Sequence, residues 1–179
     1  MGRQFFVIII LCFLVRPLEA RWFVGAVASR FNIDFENVDT GATVEDISGT
    51  IEVLGVQGGL INVNPGNFGS EFSFAIVGAN AQKLSPNPNW GSPWYWRACA
   101  KLNYTFSFKV YPFIGVDFIS GMYKDAESYY LGPGIVFGIG YKVRDNVTVA
   151  LGATNNSKLY AGENRRFLRG EVLELNYGF

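Results

Sequence analysis

The chain has 179 residues, 15 basic against 15 acidic side chains, no histidine, and an apolar fraction of 49% carrying 16 phenylalanines, nine tyrosines and four tryptophans. A balanced charge gives no basic surface for a nucleic-acid partner, whose phosphates are met by clustered Lys and Arg. The absence of histidine excludes Ser-His-Asp hydrolysis, histidine-dependent acyl transfer and histidine-ligated metal centres.

Residues 1–20 have the layout of a secretory signal peptide. Arg3 supplies a positive start, Phe5 to Val15 is an unbroken apolar run, and Leu18-Glu19-Ala20 offers a cleavage site before Arg21. The run is about half the roughly twenty residues that a spanning helix needs, so an uncleaved anchor is the weaker alternative. Cys12 follows Leu11 inside this run, which is not the setting of a lipidated cysteine. Removal of the signal leaves residues 21–179 as one domain, with thirteen basic and fourteen acidic side chains. Cys99 is then the sole cysteine, expected as a buried thiol, and no intramolecular disulfide can form.

From residue 21 onward, hydrophobicity is spread as alternation instead of long apolar blocks. Successive side chains of a strand point to opposite faces, so alternation reads as strand with one apolar face. Eight segments follow in order: Trp22–Ile33, Ser48–Asn62, Ser70–Gln82, Trp94–Ser107, Tyr111–Met122, Tyr130–Lys142, Val147–Asn155 and Phe167–Phe179. In the first two, either face could be the apolar one. The fourth sets Trp94, Trp96, Ala98, Ala100, Leu102, Tyr104 and Phe106 against Tyr95, Arg97, Cys99, Lys101, Asn103 and Thr105. The fifth sets Ile114, Val116 and Phe118 against Gly115 and Asp117. In the sixth, Ile135, Phe137, Ile139 and Tyr141 oppose Gly134, Val136, Gly138 and Gly140. In the last, Leu173, Leu175, Tyr177 and Phe179 oppose Glu174, Asn176 and Gly178.

The connections alternate in length. Val63–Gly69, Phe108–Val110 and Val143–Asn146 are short, whereas Asp34–Ile47, Lys83–Pro93, Tyr123–Tyr129 and Asn156–Arg166 are longer and more polar. Short turns at one end and long loops at the other, with an even strand number, are features of an outer-membrane barrel. The expected fold is therefore all-β: an eight-stranded antiparallel transmembrane β-barrel after an N-terminal signal peptide. A soluble barrel or sandwich also yields eight alternating strands, but it turns its large residues inward. Here one face of the later strands carries Gly, Ala, Thr and isolated charges, which suits the narrow interior of an eight-stranded barrel.

Those isolated charges are Glu71, Arg97, Lys101, Asp117 and Glu174, the candidate lumen charges. An unpaired charge in a closed lumen is expensive, so opposite signs are expected to pair across strands and plug the interior. The loop carboxylates Glu36, Asp39, Glu45 and Asp46 lack an accompanying nucleophile or base and read as solvated charge, with divalent-cation binding as the minor alternative. Arg165, Arg166 and Arg169 are candidates for contact with lipopolysaccharide phosphates, which arginine can pair bidentately. Trp90, in the Pro- and Asn-rich loop Lys83–Pro93, is either a recognition anchor or, with Trp94 and Trp96, part of the outer lipid interface.

The stretch Tyr111-Pro-Phe-Ile-Gly-Val-Asp-Phe118, followed by Gly132-Pro-Gly-Ile-Val-Phe-Gly-Ile-Gly-Tyr-Lys-Val-Arg-Asp-Asn-Val-Thr-Val149, resembles small outer-membrane β-barrel proteins. The group is that of the OmpA membrane domain, OmpX and the opacity-type proteins. The resemblance implies that the ending Leu173, Leu175, Tyr177 and Phe179 is read by the barrel-assembly machinery, with Glu174 standing where the group usually has Gly. It implies no cofactor, no metal and no catalytic residues. The function expected is that of a non-enzymatic integral protein of the bacterial outer membrane, serving envelope integrity or adhesion through its loops. The alternative is a narrow channel for small or apolar solutes. A third class, a lipid-modifying barrel enzyme, would need a reactive Ser or Asp cluster near the outer rim. Expected partners are outer-membrane lipid, lipopolysaccharide, the assembly machinery and a host or surface ligand, with no nucleic acid.

Overall fold

A computed structural model describes residues 20–37, 49–80, 94–122, 128–161 and 164–179. The expected signal segment up to residue 19, Trp90, and the loop acids Asp39, Glu45 and Asp46 lie outside them. The strands are β1 (Arg21–Asn37), β2 (Gly49–Ile61), β3 (Asn67–Asn80), β4 (Trp94–Thr105), β5 (Val110–Met122), β6 (Ser128–Arg144), β7 (Val147–Ala161) and β8 (Asn164–Gly178). Each pairs antiparallel with its chain neighbours, and β8 returns to pair with β1, so the sheet closes in the order β1 to β8. Closure leaves no unpaired strand edge, a requirement for a sheet whose outer wall is apolar.

The alternation becomes an inside and an outside. Leu173, Leu175 and Tyr177 face outward and are about half exposed, while Val172, Glu174 and Asn176 between them are buried. Ile135, Phe137, Ile139 and Tyr141 form the same outward row on β6. The facing of the first two strands, open from sequence, is settled by packing. Trp22 and Val24 point out and Phe23, Val27 and Phe31 point in; on β2, Leu54 and Val56 point out and Val53 and Gln57 point in. Val116 departs from its row: it shares the alternation of exposed Ile114 but is fully covered. An exposed apolar wall on this scale far exceeds the patches that soluble monomers tolerate.

The short connections lie together at one end. Between β2 and β3, Asn64-Pro65-Gly66-Asn67 is closed by Asn67 N–H donating to the Asn64 carbonyl at 3.2 Å. Gly66 has φ +78°, the left-handed conformation required after proline in a type II turn. Between β4 and β5 the chain reverses through Phe106–Lys109, with Lys109 at φ +68°. Around these two turns, Phe68, Tyr104, Phe106 and Phe108 form a chain of ring contacts with centroids 4.9–5.1 Å apart. This is an aromatic girdle at the end of the apolar wall.

One expectation about the connections is corrected. The long loop expected at Asn156–Arg166 is mostly strand: β7 runs to Ala161 and β8 begins at Asn164. β7 and β8 stay paired through this stretch apart from a register shift between Ser157 and Leu159, because the ladder is carried by backbone groups. Arg165 and Arg166 thus lie within β8, opposite Glu36 and Phe35 of β1 in register. The pairing is interrupted where β5 meets β6, between Asp117 and Ile119. The β6 residues skipped there include Pro133, which has no N–H to donate to the ladder. Inside the barrel, toward the short-turn end, Phe23, Ile61, Val63, Tyr111, Phe113, Val136 and Ala150 form the apolar core.

Candidate functional site

The inward alternation of β3, β4, β5 and β8 brings all five candidate lumen charges into one cluster. Glu71 and Lys101 are direct cross-strand partners on β3 and β4, and Asp117 of β5 is paired in register with Cys99 of β4. Glu174 reaches them from β8, the opposite wall. Lys101 Nζ donates to Glu71 Oε1 at 2.7 Å and also to Glu174 Oε2. Arg97 Nη1 donates to Glu174 Oε1 at 3.0 Å, and Arg97 Nε donates to Asp117 Oδ2 at 3.1 Å. None of the five is more than 4% exposed.

Three carboxylates therefore share two bases, and Glu174 is the common member that ties the two walls together. Charge-assisted bonds of this kind are the strong ones, and in a desolvated interior each partner depends on the others. Lys101 Nζ also lies 5.0 Å from the Phe113 ring centroid, in cation–π reach. Thr154 Oγ1 donates to Asp117 Oδ2 at 3.0 Å, and Arg97 Nη2 approaches Cys99 Sγ at 3.7 Å. Cys99 is a buried free thiol.

Several members of this interior were not singled out from sequence. Gln57 Nε2 donates to Asn176 Oδ1 at 2.7 Å, bridging β2 and β8 across β1. The residue between them in register is Gly25, where a Cβ would collide with Asn176 Oδ1 and the Leu175 carbonyl oxygen. Asn103 Nδ2 donates to the Asn62 carbonyl at 3.1 Å, fastening β4 to the β2–β3 turn. The signal that could have found them is their parity, since Gln57, Asn103, Thr154 and Asn176 all fall on the inward alternation.

Below the charge cluster, Tyr111 lies over Gly140, its cross-strand neighbour. A cavity of about 20 Å³ opens at the short-turn mouth, lined in part by Lys142, Thr148 and Asn176, with room for about one water. Lys142 Nζ donates to Asp145 Oδ1 at 3.2 Å in the β6–β7 turn. This bond, and the positive charge behind it, hold the exposed Asp145 carboxyl below its ordinary range. Among the described residues no group of three or more Cys, Asp or Glu is arranged to hold a metal ion.

The remaining candidates stand apart from the lumen. Arg169 is exposed on the outer wall, opposite Asn32 and Asn155 in register. Arg165 lies between Glu36 and Tyr160 in register, and Arg166 between Phe35 and Leu159. Among the described residues Phe179 is the most exposed large apolar side chain at 72%, and its N–H donates to the Trp22 carbonyl at 3.0 Å, so the end of β8 is locked to the start of β1.

The barrel is similar to solved outer-membrane proteins. Neisserial surface protein A matches with a TM-score of 0.51 at 15% identity, over 89% of this chain and 99% of that one. Ail, the attachment invasion locus protein of Yersinia pestis, solved in complex with the heparin analogue sucrose octasulfate, matches at 10% identity and a TM-score of 0.44. The match covers 88% of this chain and 99% of Ail. At such identities the shared property is the fold, that of an eight-stranded transmembrane barrel. No protein-family model matches the chain, and no curated protein matches it in sequence.

Proposed function

We propose that this protein is an integral protein of the bacterial outer membrane, non-enzymatic, whose barrel is a sealed anchor that holds the long connections at the cell surface. The observation that carries the reading is the Arg97–Glu174–Lys101 tie across the lumen, inside a wall that is apolar on its outer face. A cross-lumen tie of buried ion pairs occupies the space that a solute path would need, and this counts against the channel alternative. With the β2–β3, β4–β5 and β6–β7 turns on the periplasmic side, as in barrels of this kind, the β1–β2, β3–β4, β5–β6 and β7–β8 connections face outward. Adhesion or envelope contacts are the roles such loops serve. The terminal Leu173, Leu175, Tyr177 and Phe179 are the proposed assembly signal, and Arg165, Arg166 and Arg169 the proposed lipopolysaccharide contacts.

The test combines membrane fractionation, heat-modifiable gel mobility and planar-bilayer conductance. The expected result is an outer-membrane protein that shifts on heating and gives no stable conductance steps. A soluble, unshifted protein overturns the membrane reading, and reproducible single-channel steps overturn the sealed lumen.

A further inference from the structure

The outward wall is not uniformly bulky. Two neighbouring rungs of the sheet cross β1 to β5: Trp22–Leu60–Phe72–Ala100–Val116, and Val24–Gly58–Phe74–Ala98–Phe118. Where Gly58, Ala98 and Ala100 fall, the wall is indented, and large side chains stand on either side of them. The result is an apolar groove of about 540 Å³, bounded by Trp22 at one end and Phe118 at the other. Phe72 and Phe74 of β3 line it midway, between Gly58 on one side and Ala98 and Ala100 on the other, and Phe74 is stacked on Trp96 with centroids 6.0 Å apart. A side chain at Gly58 is sterically acceptable, since its Cβ would meet only the Phe23 carbonyl oxygen at ordinary contact distance. The indentation is therefore not forced by close packing of the backbone.

We infer that this groove holds one acyl chain of a phospholipid from the periplasmic leaflet. The inference rests on the outer-membrane reading above and adds a specific lipid site to it. The groove is continuous with the lipid-facing belt: Leu54, Val56 and Ile76 lie beyond it on one side, and Phe68 and Tyr104 on the other. Its outward side chains are hydrocarbon or aromatic, so the occupant needs no hydrogen-bonding group. Four interstrand spacings of about 4.8 Å make it about 19 Å long. It starts at the short-turn end, where Trp22 is the second residue of β1 and Leu60 nearly ends β2, and climbs toward the middle of β5. With strands tilted about 40° the climb is about 12 Å, close to the depth of one leaflet of a core about 30 Å thick. A second copy of the barrel fits less well, because a convex wall meets another along a narrow line and leaves an indentation empty.

The test is native mass spectrometry of the barrel released from bilayers of palmitoyl-oleoyl phosphatidylethanolamine, and in parallel from native outer membranes. The wild type is expected to retain one phospholipid. The variants Ala100→Leu and Gly58→Leu/Ala98→Leu should lower that retention at least tenfold, while Ala26→Leu, on the outer wall beside the groove, leaves it unchanged. The heat shift in gel mobility shows that each variant has folded. Folded wild-type barrel that retains no lipid, retention equal in the filled variants, retention of lipopolysaccharide alone, or a dimer abolished by filling would each overturn the inference. Such outcomes leave the membrane reading intact, because that reading fails only if the wild type does not enter bilayers.

Discussion

Glu174 of β8 and Lys101 of β4 are bonded across the width of the lumen, although they sit on opposite walls of the closed barrel. Glu71 holds the same ammonium from the adjacent strand, and Arg97 holds the other oxygen of Glu174. A wall hydrogen bond joins only neighbouring strands, so this cluster adds a connection that the sheet cannot make.

Removing one partner leaves the others charged and buried. Lys101→Met should destabilise the barrel by about 3–5 kcal/mol, the usual cost of breaking a buried pair. In urea titrations of the lipid-embedded barrel, Lys101→Met/Glu174→Gln should lose less than the sum of the single changes. Strict additivity would mean that the two residues are not coupled.

The Lys142–Asp145 bond predicts a small acid-sensitive contribution at the short-turn end. The folded Asp145 carboxyl titrates below its unfolded value, so its contribution is present above the ordinary carboxylate range and is lost as pH falls through the lowered folded value. NMR titration should report an acid-shifted Asp145. Asp145→Asn should narrow the stability difference between neutral and strongly acidic solution, and an equal difference in both proteins would refute it.

Two glycines with different surroundings should respond differently to one methyl group. At Gly140 a Cβ would overlap the Tyr111 ring, so Gly140→Ala should cost about 1–3 kcal/mol through overpacking. At Gly58 a Cβ would make only an ordinary contact with the Phe23 carbonyl oxygen, and Gly58→Ala should leave the unfolding midpoint within error of the wild type. A tolerated Gly140→Ala would show that Tyr111 can move aside.

If the terminal strand is the assembly signal, Phe179→Ala should reduce the amount of folded barrel in the outer membrane several-fold. Its stability after refolding into lipid should barely change, because Phe179 is exposed and its backbone bond to Trp22 is kept. A loss confined to refolded stability would assign Phe179 to the girdle alone.

For the proposed lipopolysaccharide contacts, Arg169→Ala should lower the thermal midpoint only where lipopolysaccharide is present. Parallel melts in phospholipid bilayers with and without it make the comparison. An equal loss in both would make Arg169 a structural residue of the wall.

Much of the barrel is legible along the chain because a strand repeats every two residues. The row Leu173, Leu175 and Tyr177 faces out and Glu174 and Asn176 face in, as period two requires, and the eight segments recur as eight strands. Local pattern does not fix every facing or every strand end. Trp22 and Phe23 are both aromatic, and either could face lipid until β1 is paired with β2 and β8. Asn156–Arg166 is polar and has the composition of a loop, yet closing β8 onto β1 extends pairing through Arg165 opposite Glu36.

Sequence alone determined the alternation, the number of strands, the longer β1–β2 and β3–β4 connections at one end and the set of charges that share the inward parity. These follow from local geometry, which each segment carries by itself. Tertiary structure decided the partners. Glu174 meets Arg97 and Lys101 because the sheet closes, and Gln57 meets Asn176 because Gly25 leaves room between them. The lipid-facing groove likewise needs Gly58, Ala98 and Ala100 to fall on neighbouring rungs. Register across strands sets all three, and register belongs to pairs of strands distant in the chain, so no single segment contains it.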